Sequence, residues 1–183
     1  MTRRIAREYC RLAVAPLVAA YRLRMVGFRT VSELLSLVPG MAGVGIRRAW
    51  YERTLASCGE RLYVDWGAVI RSPLTGVGND VYIGPRSWIG ECHVGSDTML
   101  SGPTVMLSGA RTHGMKRDQL IRKQVVTHSL TMIGRDVWTG SGAIIMADLA
   151  QGSVVGAGSV VTQATEEYEV VAGVPARKIG KRW

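Results

Sequence analysis

The chain has 183 residues, a formal net charge of +9 and a sequence pI near 10.0, a length that suits one domain with an appendage and suffices for a buried core. Apolar residues make up 47%, yet there is one Phe and 22 Gly, against a usual Gly share of roughly 7%. A fold with many tight turns and small aliphatic core residues fits this balance better than a helix bundle does.

The charge predicts an anionic partner: nucleic acid, an acidic membrane surface or a phosphorylated cofactor. Residues 1–60 hold ten Arg against four Glu, so the excess is concentrated early in the chain. No zinc spacing, basic helix-turn-helix or aromatic platform accompanies it, and nucleic acid is not expected as a partner. Cys10, Cys58 and Cys92 are odd in number and contain no C-x-x-C. They read as reduced thiols of a cytoplasmic protein rather than as a disulfide framework or zinc site.

Residues 1–61 read as a basic, helical extension. The run LAVAPLVAA (12–20) between arginines imitates a signal peptide, but it is shorter than the roughly 20 residues a membrane span needs. Pro16 and Glu8 oppose a secretory reading. The expectation is a helix packed on the main domain or lying on the anionic inner face of a membrane. A second helical run, Val31 to Val38, follows Thr30 as its cap and breaks at Pro39-Gly40.

From residue 62 the period changes. Aliphatic residues recur at every sixth position: Val64 and Ile70; Val77, Ile83 and Ile89; Val94, Leu100 and Met106. After an interruption the pattern returns as Ile133, Thr139 and Ile145, then Leu149, Val155 and Val161. Small or β-branched residues sit four places further on, among them Ser87, Thr98, Thr104, Ala143, Ser153 and Ser159. A period of six matches neither an amphipathic helix nor a half-buried strand; it marks a solenoid whose turns have three flat sides. Residues 62–183 are therefore predicted to be mainly β, a parallel β-helix of about four coils with a short C-terminal tail. Thr139 and Gln151 stand where an aliphatic residue is expected and blur the local register. Residues 108–131 lack the period, and a loop that long in so regular a body is usually functional.

The segments VYIGPRSWIG (81–90), VGSDTMLSG (94–102), IGRDVWTGSGAI (133–144), VVGAGSVVT (154–162) and VVAGVPARKI (170–179) together resemble the hexapeptide-repeat acyltransferases. The extruded segment LSGARTHGMKRDQLIRKQ (107–124) is similar to the loop of the sugar and surface-polysaccharide O-acetyltransferase branch. The resemblance covers roughly residues 62–180. It implies a left-handed β-helix, an acetyl-CoA donor, a cytoplasmic homotrimer with sites between subunits, and a saccharide hydroxyl as acceptor, in a surface polysaccharide, a lipopolysaccharide or a precursor.

Acetyl transfer needs a base for the acceptor's proton, and a neutral imidazole suits that task. Of the three His, His113 alone lies within residues 107–124 of the interrupting loop, next to a Gly and away from the aliphatic rows, and it is the expected base. Asp118 is the nearest acid in sequence and a candidate for orienting it. His93 is read as a corner or subunit-contact residue and His128 as a structural one. By resemblance, Ser141 donates to the thioester carbonyl, Trp138 lines the cofactor slot, and Gly156, Ala157 and Thr162 contact the pantetheine arm. Arg177, in the AGVPAR segment, and Lys178 lie near the phosphates. No metal is expected, since the spacings of His93, His113 and His128 do not fit a γ-type carbonic anhydrase. Other acceptors, namely an antibiotic, serine or an amino sugar, share the same chemistry. A non-catalytic β-helix scaffold at a membrane surface would have no need of the loop His or the AGVPAR tail.

Overall fold

The computed structural model describes the backbone of residues 2–109, 112–127 and 129–183, with side chains from Ile5 onward. Three helices come first: α1 (Thr2–Arg22), α2 (Phe28–Ser36) and α3 (Gly40–Thr54). Sixteen short strands follow. The first coil comprises β1 (Ser57–Cys58), β2 (Tyr63–Val64) and β3 (Val69–Ile70), and the second β4 (Gly76–Val77), β5 (Tyr82–Ile83) and β6 (Trp88–Ile89). The third comprises β7 (Cys92–Val94), β8 (Met99–Leu100) and β9 (Val105–Met106), and the fourth β10 (Thr131–Ile133), β11 (Trp138–Thr139) and β12 (Ile144–Ile145). A fifth replaces its first strand with a bridge from Leu149 to Ile133 and continues through β13 (Val154–Val155) and β14 (Val160–Val161). A sixth is begun by β15 (Glu169–Gly173), on which β16 (Ala176–Lys181) folds back antiparallel.

Successive coils stack into three parallel sheets. Sheet A has the order β1-β4-β7-β10, sheet B has β15-β13-β11-β8-β5-β2 with β16 on its outer edge, and sheet C has β14-β12-β9-β6-β3. The fold is thus a parallel β-solenoid of nearly six turns rather than about four. The uncounted turns are those whose strands do not repeat the aliphatic signature, β1 at the start and β15 at the end.

The period of six marks the inward rows. Val64, Ile83, Leu100, Thr139, Val155 and Val171 align in sheet B, and Ile70, Ile89, Met106, Ile145 and Val161 in sheet C; all are buried. The positions four further on, including Ser87, Thr98, Thr104, Ala143, Ser153 and Ser159, are buried as well. Thr139 keeps the register because its Oγ1 lies 2.9 Å from that of Thr104, so the buried hydroxyl is satisfied. Gln151 does not take an inward place; it is exposed, its Nε2 donates to the Tyr168 hydroxyl at 2.9 Å, and Leu149 fills the core instead.

Helix α2 starts at Phe28 with Gly27 as its N-cap, upstream of the cap expected at Thr30. The reason is packing: Phe28 is buried against Tyr21 and Trp50, with ring centroids 6.0 and 5.8 Å away. Val14 and Val18 of α1, Leu35 of α2 and Trp50 of α3 belong to one apolar cluster that continues into the solenoid interior. Glu52 draws α1 onto α3 through ion pairs with Arg7, Arg11 and Arg48. Although burial opposes its ionisation, these cations hold the carboxylate below its ordinary range.

A parallel sheet has unpaired backbone groups at its first strand, and α3 meets them here. Arg47 Nε donates to the Val64 carbonyl at 3.0 Å, and its NH1 donates to the carbonyls of Leu35 and Val38. The Tyr51 hydroxyl accepts the Ile70 amide at 3.1 Å, and the Ser36 carbonyl accepts the Gly67 amide at 2.9 Å. Tyr51→Phe leaves the buried Ile70 N–H without a partner, and urea unfolding is expected to show a loss of about 1–3 kcal/mol. An unchanged midpoint would mean that the helical cap contributes no stability through this bond.

Candidate functional site

Between β9 and β10 the chain leaves the prism and returns to the same place. The Ser129 amide donates to the Ser108 carbonyl at 3.2 Å, and Thr131 Oγ1 donates to the Leu107 carbonyl at 2.9 Å. Further out the segment forms a short hairpin, with Thr127 N–H donating to the Thr112 carbonyl and His113 bridged antiparallel to Val126. The imidazole of His113 is exposed on this hairpin.

Gln124 holds the hairpin's far end and is buried among exposed neighbours. Its Oε1 accepts the Lys116 amide, and its Nε2 donates to the carbonyls of Lys116 and Gln119, all at 2.9 Å. Gly114 makes room for it, since a Cβ there would lie 2.5 Å from Gln124 Oε1. The role of Gln124 was not assigned from sequence, although it closes the motif that carried the loop's resemblance. Asp118 is exposed beside Gln119, Leu120 and Lys123. Among the described residues no hydrogen bond joins it to His113.

The strand registers place the other candidates. Residues following the sheet C strands stack in one column, Arg71, Gly90, Leu107, Met146 and Thr162, along the edge between sheets C and A. The His113 loop leaves from this edge, and Thr162 lies on it. The residues following the sheet B strands form the opposite edge of sheet C, where Ser101, Gly140 and Gly156 stack. Ser141 and Ala157 come next, tied by the Gly158 amide donating to the Ser141 carbonyl at 2.8 Å. Trp138 stands just before this edge, 51% exposed, with its Nε1 donating to Ser101 Oγ at 3.2 Å. Gly140 is required where it stands: a Cβ would lie 2.5 Å from the Ala157 nitrogen of the next coil. Within one chain, the structure gathers Trp138, Ser141, Gly156 and Ala157 on one edge and the His113 loop with Thr162 on the other. Six extended residues, roughly 20 Å, separate the two edges.

Arg177 and Lys178 border a cleft of about 240 Å³ with Val161, Gln163 and Thr165. Arg177 donates to the Ala176 carbonyl and, among the described residues, pairs with no carboxylate. Lys178 meets Glu166 at 3.1 Å and Glu169 at 3.5 Å, and the hydrogen bond to Glu166 raises its pKa. His93 lies in mid-strand between Gly76 and Met132 on the outward face of sheet A, not at a corner; the short spacing before it is taken up at Gly90–Glu91. His128 lies outside the described residues. All three cysteines are free, and burial pushes Cys92 up to about 12 and Cys58 to about 11, so both remain protonated. Among the described residues no group of His, Cys, Asp and Glu is placed to hold a metal ion.

A parallel solenoid with a six-residue period and an extruded loop is the fold of hexapeptide-repeat acetyltransferases of known structure. A maltose O-acetyltransferase of Clostridium difficile 630 superposes with a TM-score of 0.68 at 22% identity, covering 88% of this chain and 90% of that one. PerB of Caulobacter crescentus, solved with CoA and GDP-perosamine, gives 0.54 at 20% identity over 68% of this chain and 51% of its own. In sequence, a chloramphenicol acetyltransferase of Klebsiella aerogenes is 47% identical over 55 residues, which is 29% of this chain. The matched region is 26% of that relative's length. No family model matches.

Gln124→Ala removes three hydrogen bonds from the hairpin, each worth about 0.5–1.5 kcal/mol. Amide exchange over residues 113–126 is expected to accelerate tenfold or more while the coils keep their protection. Exchange unchanged in that segment would show that the loop is ordered by other contacts.

Proposed function

We propose that the protein is an acetyl-CoA-dependent O-acetyltransferase with a saccharide acceptor, acting as a homotrimer with His113 as general base. The observation that carries this reading is the division of the candidate residues between the two edges of sheet C. Beyond Trp88, its outward face offers Val105, Ile144 and Val160 in an apolar row between those edges. If three copies turn this face toward a common axis, the His113 edge of one subunit meets the Ser141 edge of the next. A complete site then forms at each of three interfaces.

The donor edge fits a slender thioester arm. A Cβ at Gly158 would meet nothing within 4 Å, the indole of Trp138 is half exposed beside it, and Arg177 has no carboxylate to displace on meeting a phosphate. Lys178 would have to release Glu166 to do the same. The thioester supplies an activated acetyl group. His113 takes the acceptor's hydroxyl proton as the oxygen attacks the carbonyl carbon, and returns it to the sulfur as the C–S bond breaks. The Ser141 hydroxyl donates to the carbonyl oxygen as negative charge develops on it. Asp118 would need a loop rearrangement to orient the base. The short sequence match to chloramphenicol acetyltransferases keeps a drug hydroxyl as an alternative acceptor.

His113→Ala is expected to lower turnover by about 10²- to 10⁴-fold with acetyl-CoA binding retained. Co-assembly of His113→Ala chains with chains blocked at the other edge by Ala157→Trp should restore part of the activity, because some interfaces then combine two intact edges. Near-normal turnover of the His113 variant would refute the base assignment, and no recovery on mixing would refute a shared site.

The reading includes a peripheral position on an anionic membrane. Among the described residues no helix is long and apolar enough to cross one, but Ile5, Tyr9, Leu12 and Pro16 line the exposed side of α1 opposite the buried Val14 and Val18. Arg22, Leu23, Arg24 and Met25 extend that side with exposed cations and apolar groups. Co-sedimentation with phosphatidylglycerol vesicles is expected to fall severalfold on Tyr9→Glu with Leu12→Glu and in high salt. Equal binding by the double variant would remove α1 as the contact.

A further inference from the structure

Trp88, on the outward face of sheet C, carries two guanidinium groups. The Arg71 group lies 4.2 Å and that of Arg29, from α2, 5.4 Å from the ring centroid. Each contact is attractive, but the two cations repel one another. Arg29 is compensated by Glu33, whose Oε1 accepts from its Nε at 2.6 Å. Arg71 forms no ion pair among the described residues, and its buried Nε has no hydrogen-bond partner. Burial and the neighbouring Arg29 lower its pKa. The closest acid along the same edge, Glu91, is engaged by the Ser72 hydroxyl at 2.9 Å. A cation without an ion pair of its own, attracted only through space by the Glu33 carboxylate that Arg29 already engages, and stacked on a partly exposed indole beside that second cation, is an arrangement an anion would complete.

Its position gives it meaning. Arg71 is in the same column as Leu107, from which the His113 loop departs, two coils away, or about 10 Å at the usual strand spacing. A saccharide unit bearing a phosphate or diphosphate spans such a distance.

We propose that Arg71, with Arg29 and the face of Trp88, binds the phosphate or diphosphate of an anionic saccharide acceptor whose hydroxyl is presented to His113. The proposal rests on the acetyltransferase reading for its last clause, but the anion site is tested without the donor. Calorimetric titration of the full chain with inorganic pyrophosphate should give salt-sensitive binding. Arg71→Gln should weaken it about tenfold or more, whereas Arg135→Gln, at the corner between β10 and β11 and paired with Asp97, should not. Absent binding to the wild type, equal binding by Arg71→Gln, or equal weakening by Arg135→Gln overturns the anion site. Glucose 1-phosphate, a nucleoside diphosphate glucose and a diphosphate-linked sugar lipid in vesicles then distinguish the source of the anion. In turnover, Arg71→Gln should raise KM for the preferred anionic acceptor about tenfold and leave that for neutral maltose unchanged. A chain that binds pyrophosphate but neither binds nor turns over acetyl-CoA would sink the catalytic reading and keep the anion site.

Discussion

Everything in this molecule depends on backbone hydrogen bonding from one coil to the next. The strands are mostly two residues long, far too short to be stable as a hairpin or an isolated sheet. They persist because each is paired above and below in register, with an aliphatic side chain seated on its counterpart in the adjacent coil. That constraint is strict: a slip of one residue would turn Ile83 or Leu100 outward. It also explains why Thr139 is tolerated in an aliphatic row, since its hydroxyl bonds to Thr104 without changing the backbone path.

A stack held together in this way has two vulnerable ends, and the chain closes them by different means. At the start, α3 brings Arg47 and Tyr51 to the free carbonyl and amide of the first coil. Burying Arg47 costs desolvation energy, visible in its lowered pKa, and three carbonyls compensate it. At the other end β16 folds back on β15, and Arg182, just after β16, reaches Asp136 at 2.9 Å and the Gly152 carbonyl at 3.2 Å. The early excess of arginine is therefore partly structural. Arg7, Arg11, Arg47 and Arg48 work inside the helical cap, and a partner for the charge has to be sought among the remaining ones.

Where physics repeats along the chain, the sequence announced it. The rows from Val64 to Val161 were legible because every coil imposes the same demand on the same position. The first and last turns were not, since β1 meets the second coil through Ser57 and Cys58 and β15 begins with Glu169. The start of α2 was misplaced because Phe28 answers to Tyr21 and Trp50, contacts that no local pattern encodes. For the site, the loop and His113 stood out as an interruption of the period, but the division of the other candidates between two edges required the register. Gln124 matters through its burial and its three hydrogen bonds, and Arg71 through a buried Nε without a partner; none of these properties can be read along a sequence.

The two edges also set what one subunit can and cannot do. A rigid prism cannot bend a corner across the width of sheet C to bring His113 to Ser141, because each coil is locked to its neighbours by the same ladder that stabilises it. In the proposed trimer, rigidity that would prevent catalysis within one chain would become an advantage, since edges fixed by backbone register would hold reacting groups without further ordering. The loop between β9 and β10 is freed from the ladder, and it is tied at its root by Ser108 and Thr131 and at its tip by Gln124. On the present reading, the solenoid supplies distance and alignment, the loop supplies the base, and Arg71 with Trp88 selects acceptors by their charge.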